Sequence, residues 1–289
     1  MTLRQALTAA AARLADNPHL RGNARRDAEV LLLDKLGISR AQLLASPERE
    51  MTEEEEFFFW QNVHRRVASE PVQYILGRQE FFGLDFHVSP AVLIPRPETE
   101  HLVEAVLQEL AHDKPLEILD VGTGSGILAV TLAHHLSHAE ITAIDISPEA
   151  IAVARRNAET HRVDDHIKFT VSDLLSAVDH KVERFDAIVS NPPYVAEDDR
   201  SSLSPEVRDY EPASALFAGK TGLDIYRRLI PEAHSALKPN GLLALEIGHG
   251  QRDAIAELLT GWREVSFLND LQQIPRVALA HRPAGTATR

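Results

Sequence analysis

The stretch LEILDVGTGSG, residues 116–126, decides the fold of this chain. Its first half is an apolar run of the kind that forms a buried strand. Its second half is a glycine-rich turn, and the apolar residues that follow predict a helix. A strand, a glycine-rich turn and a helix in this order are typical of the first βα unit of a nucleotide-binding sheet.

A second stretch, Ser190-Asn191-Pro192-Pro193-Tyr194, follows the apolar run 185–189. It therefore lies at the carboxyl end of a predicted strand, where open α/β sheets place their chemistry. The prolines stiffen the turn, so the Asn191 side-chain oxygen and the Pro192 carbonyl could each accept a hydrogen from one planar NH2 group. Tyr194 offers an aromatic face for the flat framework of that group. The alternative is an ordinary proline-rich loop, and the glycine turn upstream favours the clamp.

The glycine turn, Gly122-Thr123-Gly124-Ser125-Gly126, also restricts the nucleotide. A dinucleotide-binding dehydrogenase would carry a further glycine at the G-x-G-x-x-G spacing, and an ATP-binding loop would carry Gly-Lys-Ser/Thr. Of the nucleotide cofactors considered, S-adenosylmethionine remains, because its carboxylate and ribose need close backbone approach but it has no phosphate. The next predicted strand, 139–145, ends in Asp145, and an acid at that place can accept hydrogen bonds from both ribose hydroxyls.

Composition excludes several other functions. The 289 residues carry a formal net charge of −13 and include no cysteine. The chain therefore has no disulfide and no thiolate nucleophile, and its overall charge does not attract a phosphate backbone. His134 and His138 have the i, i+4 spacing of a metal pair, but no third ligand is suitably placed, so we predict no metal site.

No apolar run approaches the ~18 residues that a membrane span needs. The segment 1–5 leads into an amphipathic helix and does not resemble a secretory signal. We therefore expect a cytoplasmic protein that does not contact membrane.

The order of the predicted elements indicates the architecture. Strands alternating with helices predict a mostly parallel, doubly wound sheet of seven strands. The last two strands have no helix between them and are expected to form an antiparallel hairpin at one edge. Pro231 should kink or divide the helix predicted over 222–237. The seven strands are predicted at residues 116–119, 139–145, 167–172, 184–190, 241–248, 263–268 and 276–281.

The amino-terminal part has a different pattern. Helical periodicity covers 3–14 and 24–36, and a capping box at Thr52 begins a third run that ends before Pro71. The aromatic residues of that run could form a binding surface, but their helical spacing favours core packing; they are Phe57, Phe58 and Trp60.

Alternation over 80–88 predicts a β-hairpin after this bundle. We therefore expect a helical domain over 1–71, a β-hairpin linker over 72–97 and a catalytic domain over 98–289.

Further motifs relate the whole chain to a known family. They are Asp27-Ala28-Glu29, the run 71–77 with Glu80-Phe81, Leu93-Ile94-Pro95-Arg96-Pro97-Glu98-Thr99-Glu100, Glu211-Pro212 with Ala215-Leu216, Gly222-Leu223-Asp224 with Tyr226-Arg227, and Leu245-Glu246-Ile247-Gly248. With the glycine turn and Asn-Pro-Pro-Tyr, the chain resembles the class I S-adenosylmethionine-dependent methyltransferases. Within them it closely resembles the release factor glutamine methyltransferases, the HemK/PrmC family.

This resemblance implies a role for each site residue. The glycine turn would surround the methionine part of S-adenosylmethionine, Asp145 would bind the ribose, and Asp173 with Leu174 would flank the adenine. Asn191 would border the cofactor, and Asn191, Pro192, Pro193 and Tyr194 would hold the substrate, with Asn191, Pro192 and Tyr194 as the catalytic group. The family often has an aromatic residue in place of Leu174 and a glycine in place of Gln273.

The implied reaction is methyl transfer to the side-chain amide nitrogen of glutamine in the Gly-Gly-Gln motif of a peptide chain release factor, with the helical domain 1–71 recognising that partner.

Two alternative functions remain open at this point. One is an adenine methyltransferase that acts on nucleic acid, although the charge of −13 disfavours it. The other is a module that binds S-adenosylmethionine without catalysis. A monomer is expected.

Overall fold

The structure is a computed structural model that describes residues 1–111, 113–178 and 183–284. This part of the chain divides into two compact units. The first contains Met1–Arg78 and Ser202–Tyr210, and the second contains Gln79–Ser201 and the chain from Glu211 onward. The boundaries at residues 71 and 97 that the sequence suggests stay a prediction.

The first unit is helical, and its helix ends are set by local sequence. Thr2, Ser39 and Thr52 each begin a helix with a complete capping box, as predicted for Thr52. Gly37 ends the second helix in the left-handed conformation. The helices are α1 (Leu3–Ala15), α2 (Ala24–Leu36), α3 (Arg40–Ala45), α4 (Glu53–Val67), α5 (Val72–Leu76) and α9 (Pro205–Tyr210). Sequence periodicity did not reveal α3 and α5, because each is shorter than two turns.

The predicted core packing of helix α4 is confirmed only in part, because Trp60 is partly buried against the core while the fully buried aromatic residue is Phe59. Phe59 and Val63 are fully buried against α1 and α2. Phe57 is 66% exposed, so its assignment to the core was wrong. Phe59 and Val63 are four positions apart and therefore share a face, whereas Phe57 is rotated by about 200° from Phe59 on a 3.6-residue helix.

A buried ion pair fastens the first unit. The Arg66 side chain, 5% exposed, donates to Asp27 over 2.7 Å, and that carboxylate side chain is 11% exposed. Arg66 also pairs with Glu206 of α9 over 2.7 Å. The Tyr210 hydroxyl donates to the Ala68 carbonyl over 2.8 Å. These contacts hold the segment Ser202–Tyr210 within the helical unit.

The second unit begins with the predicted hairpin, formed by β1 (Arg78–Phe81) and β2 (Leu84–His87). Among the described residues, the large sheet has seven strands: β3 (Leu116–Val121), β4 (Ala139–Asp145), β5 (Ile167–Val171), β6 (Phe185–Ser190), β7 (Leu237–Glu246), β8 (Arg263–Asn269) and β9 (Pro275–His281). Its helices are α6 (Glu100–Glu109), α7 (Ile127–His135), α8 (Pro148–His161), α10 (Asp224–Ala236) and α11 (Arg252–Leu258).

The strands run in the order β5-β4-β3-β6-β7-β9-β8. Strands β3 to β7 pair in parallel, and β9 is antiparallel to both of its neighbours. The predicted α/β class and edge hairpin are therefore confirmed. The sequence did not show the order of the last strands, in which β9 lies between β7 and the edge strand β8. Helix α10 runs unbroken through Pro231, so this proline does not divide the helix, and the alternative expectation of a kink stays a prediction.

Two apolar cores cover the two faces of the sheet. One joins the sheet to α6, α7 and α8, and also buries Phe81 and Phe86 of the hairpin. The other joins it to α10 and α11, with Tyr226 fully buried. Parallel strands covered on both faces bring their carboxyl ends to one edge, where ligands bind. No helix in the described ranges is long and apolar enough to cross a membrane.

Candidate active site

A cavity of about 260 Å³ lies at the carboxyl ends of the central strands. It receives side chains and backbone from segments that are far apart in the sequence. The segment 91–96 and the 212–228 region add to the strand ends. The residues from the strand ends that line it are Val121, Gly122, Thr123, Gly124, Ser125, Asp145, Ile146, Ser147, Ser172, Asp173, Leu174, Ser190, Asn191, Pro192 and Pro193.

The glycine turn presents bare backbone to this cavity. Gly122 and Gly124 have φ of +72° and +55°, and a Cβ atom added at Gly122 would meet nothing within 4 Å. A ligand can therefore approach the backbone closely there. Gly126 serves a different purpose, because its own Cβ would lie 3.1 Å from that of Ala154. It allows α7 to begin against α8 and does not line the cavity.

Asp145 is fixed at the end of β4 by two backbone groups. One carboxylate oxygen accepts from the Gly124 N–H over 2.8 Å and the other from the Ser147 N–H over 2.9 Å. Burial raises the pKa of Asp145, while its backbone hydrogen bonds lower it. Each carboxylate oxygen retains acceptor capacity, so this side chain can accept from a ligand in the cavity.

Asp120 supports the turn from beneath and does not line the cavity. Its carboxylate accepts from the Thr123 hydroxyl over 2.6 Å and from the Ala129 N–H over 3.2 Å. Burial raises the pKa of Asp120 to about 7, and the nearby Asp145 charge acts in the same direction. The sequence placed this acid in the motif without giving it a function.

Asn157 is a supporting residue that sequence reasoning missed. It is fully buried, and its amide nitrogen donates to the Ser125 carbonyl over 2.8 Å and to the His87 carbonyl over 3.0 Å. Its side-chain oxygen accepts from the His87 N–H over 2.7 Å. The glycine turn is thereby tied to the end of the hairpin. A lone asparagine on a helix gives no sequence signal for such a contact.

The Asn191 carboxamide has a defined orientation. Its nitrogen donates to the Thr99 hydroxyl over 3.1 Å, which leaves the side-chain oxygen as the acceptor of the group. The preceding Ser190 hydroxyl donates to the Val121 carbonyl over 2.6 Å and joins β6 to β3. Asn191, Pro192 and Pro193 line the cavity, and their action as a clamp stays a prediction.

Tyr194 points elsewhere and does not line this cavity. Its hydroxyl donates to Glu246 over 3.2 Å, and its carbonyl accepts from the Gln251 side chain over 3.0 Å. Burial raises the pKa of the Tyr194 hydroxyl further above its ordinary value, with the Glu246 charge as the next cause. A Cβ atom at Gly222 would lie 2.2 Å from the Tyr194 carbonyl oxygen, which explains the glycine there. The aromatic face that the sequence assigned to substrate stays a prediction.

The proline-rich segment before α6 lines the cavity through Leu93, Pro95 and Arg96. Glu211 holds it, because its carboxylate accepts from the Ile94 N–H over 3.1 Å and from the Arg96 guanidinium over 2.5 Å. The Glu211 side chain is buried. This segment therefore forms part of the cavity wall and also leads into α6.

Asp173 and Arg228 also line the cavity and pair with each other over 2.9 Å. Leu174 has a φ of +45°, a conformation that L-residues rarely adopt. The neighbouring Ser172 hydroxyl donates to the Leu174 carbonyl over 2.6 Å and stabilises this bend. In the loop after β8, Gln273 has a φ of +63°, a conformation that glycine adopts without strain.

The sheet has an antiparallel strand next to its edge strand, and the glycine turn and the cavity lie at the carboxyl ends of its parallel strands. These features define a methyltransferase of the Rossmann-like class. A crystal structure of a methyltransferase from Pyrococcus furiosus superposes with a TM-score of 0.52 at 20% identity, covering 80% of this chain and 100% of that one. The family described as PrmC N-terminal domain matches residues 5–77, and the methyltransferase small domain matches residues 98–205.

Two curated relatives match over nearly their whole length. The release factor glutamine methyltransferase of Koribacter versatilis is 46% identical, covering 98% of this chain and 99% of the relative. That of Moorella thermoacetica is 44% identical with the same coverage. The chain belongs to the release factor glutamine methyltransferase family.

Proposed function

We propose that the protein transfers a methyl group from S-adenosylmethionine to the side-chain amide nitrogen of glutamine in the Gly-Gly-Gln motif of a peptide chain release factor. The observation that carries this proposal is the orientation of Asn191. Because its nitrogen donates to Thr99, its oxygen is free to accept a hydrogen from a planar NH2 group. The full-length similarity to release factor glutamine methyltransferases supports the identity of the substrate.

The residues around the cavity fit S-adenosylmethionine. The turn at Gly122 and Gly124 leaves open space where side chains would stand, and the carboxylate of Asp145 is held in place beside it. In this assignment the turn approaches the methionine part through residues 122–125, with Gly126 allowing the close packing behind it. Asp145 accepts from the ribose hydroxyls, and Asp173 with Leu174 flanks the adenine. When bound, the cofactor supplies an electrophilic methyl group on a positively charged sulfur.

The clamp residues have two tasks toward the substrate. A glutamine amide nitrogen is a poor nucleophile, because its lone pair is delocalised into the carbonyl. Asn191 and the Pro192 carbonyl would each accept one N–H, which orients the nitrogen and favours its change toward tetrahedral geometry. Both acceptors come from a stiff turn, so little reorganisation is needed during reaction.

The first unit is proposed to recognise the release factor. It matches the family described as PrmC N-terminal domain, and it has a hydrophobic core and a buried ion pair of its own. Because the proposed partner acts in translation, we propose a cytoplasmic location. A monomer stays the expected state.

Purified protein, radiolabelled S-adenosylmethionine and three substrates test the proposal. We expect methylation of a whole release factor and none of a release factor whose glutamine in the motif is replaced by alanine. We expect no label on duplex DNA containing adenine. Label on DNA but not on release factor would overturn the proposal in favour of an adenine methyltransferase, and label on neither would favour a module that only binds.

The ribose assignment gives a separate prediction. Asp145→Ala should weaken S-adenosylmethionine binding at least ~10-fold, because charge-assisted hydrogen bonds worth about 1.5–3 kcal/mol each are lost. Titration calorimetry measures the affinity. Glu140→Ala removes an exposed carboxylate from the same strand and is the matched control, for which we expect native affinity. Native affinity in a folded Asp145→Ala variant would remove this residue from the site.

A further inference from the structure

Behind the clamp lies a buried carboxylate that the reaction described above does not use. Glu246, at the end of β7, is 1% exposed. One of its oxygens accepts from the Thr99 hydroxyl over 2.6 Å, and the other accepts from the Tyr194 hydroxyl over 3.2 Å. Thr99 in turn accepts from the Asn191 side-chain nitrogen over 3.1 Å. These contacts join Asn191, Thr99 and Glu246 into one chain of hydrogen bonds.

The Glu246 carboxylate, at the end of these hydrogen bonds, determines which group donates in each of them. An ionised carboxylate only accepts, so the Thr99 hydroxyl must give its single hydrogen to Glu246. The Thr99 oxygen then offers only lone pairs to Asn191, which must present its NH2 group there. The 2.6 Å distance is in the range of an O–H to carboxylate hydrogen bond. The Asn191 oxygen is thereby left for a ligand.

We propose that Thr99 and Glu246 are positioning residues that hold the Asn191 carboxamide with its oxygen toward the substrate, and so make the clamp selective for an NH2 donor. This inference rests on the proposed function and extends it to the selection of substrate chemistry. If Glu246 gained a proton, it could donate to Thr99, and Thr99 could donate to the Asn191 oxygen. The carboxamide would then present its NH2 group to a substrate that also donates.

The groups around Glu246 determine its pKa. Burial raises the pKa of Glu246 to about 7, while Thr99, Tyr194 and Arg276 lower it and Glu98 raises it further. Tyr226 donates to the Glu246 backbone carbonyl over 2.7 Å and fixes the strand end. Since the pKa is raised and the ionised form is needed, methyl transfer should fall as the pH falls through about 7.

Four variants test the assignment. Thr99→Val keeps the shape but loses the hydroxyl, Thr99→Ser restores the hydroxyl, and Glu246→Gln keeps the shape without the charge. The matched control is Thr131→Val, because Thr131 is also fully buried and its hydroxyl has no hydrogen-bond partner in the described part of the chain.

We expect Thr99→Val to lower kcat by on the order of 10-fold or more, since a misoriented group at a reacting centre is costly. Thr99→Ser should recover most of the rate, and Thr131→Val should keep the native rate. Affinity for S-adenosylmethionine should be native in all four variants. Native kcat in Thr99→Val, or failure of Thr99→Ser to recover a lost rate, would overturn the assignment of Thr99.

A second readout does not depend on the substrate. The side-chain NH2 signals of Asn191 in the 15N–1H spectrum, assigned by their absence in Asn191→Asp, should shift in Thr99→Val but not in Thr131→Val. They should titrate near pH 7 in the native protein and not in Glu246→Gln, which separates Glu246 from Asp120, whose pKa is also about 7. Unchanged signals in Thr99→Val, or the same titration in Glu246→Gln, would overturn the inference. If release factor is not methylated but the signals behave as expected, only the proposed substrate is wrong.

Discussion

Replacement of Asn191 by alanine is expected to slow methyl transfer by on the order of 10²-fold or more, because a preorganised hydrogen bond at the reacting centre is lost. The hydrogen bonds that fix Asp145 and the glycine turn do not involve the Asn191 side chain, which donates to Thr99 instead. Affinity for S-adenosylmethionine should therefore change much less than the rate. Single-turnover measurements with release factor, at saturating cofactor, give the rate of the chemical step.

The Asn191→Asp variant separates geometry from charge. Aspartate keeps an acceptor of nearly the same shape, but an ionised carboxylate cannot donate to Thr99 as Asn191 does over 3.1 Å. It would also stabilise the cationic ground state of the cofactor. We expect an impaired enzyme. A rate equal to or above the native one would mean that charge attraction, and not the clamp, dominates catalysis.

Asn23→Ala is the control for both variants, since Asn23 is exposed and its side chain makes no capping hydrogen bond. Its rate should be native. A native rate in Asn191→Ala as well would remove Asn191 from the catalytic group.

Arg66→Ala should lower the free energy of unfolding of the helical unit by about 3–5 kcal/mol. Without the guanidinium, the buried Asp27 carboxylate has lost its 2.7 Å partner, and Glu206 loses its contact as well. Removing both members of the pair, as in Asp27→Leu with Arg66→Met, should cost much less, because no uncompensated charge is then buried.

Tryptophan fluorescence during urea unfolding measures this effect in the helical unit alone. The chain has two tryptophans, Trp60 and Trp262, so the substitution Trp262→Phe leaves one reporter within that unit. Arg65→Ala is the matched control, because the Arg65 side chain is 41% exposed and pairs with Glu70 at the surface. It should cost less than about 1 kcal/mol. An equal loss for Arg65→Ala and Arg66→Ala would contradict the importance of burial.

Local sequence was enough for much of the fold. The Thr52 capping box was predicted because the residues that interact are within three positions of one another. The strand β4 was predicted with the bounds observed, Ala139–Asp145, since most of its residues are apolar and buried. The glycine turn and the Asn-Pro-Pro-Tyr clamp are likewise contiguous, so their chemistry can be inferred from the residues themselves.

The sequence by itself therefore determined the α/β class and the family, and it predicted the residues of the clamp. Only the tertiary structure decided which way the Asn191 carboxamide faces, because Thr99 lies 92 positions before it and Glu246 lies 147 positions beyond Thr99. It also decided that Tyr194 turns toward Glu246 and that Asn157 supports the glycine turn. Hydrogen bonds between buried side chains depend on how distant segments pack, and no local periodicity records that packing.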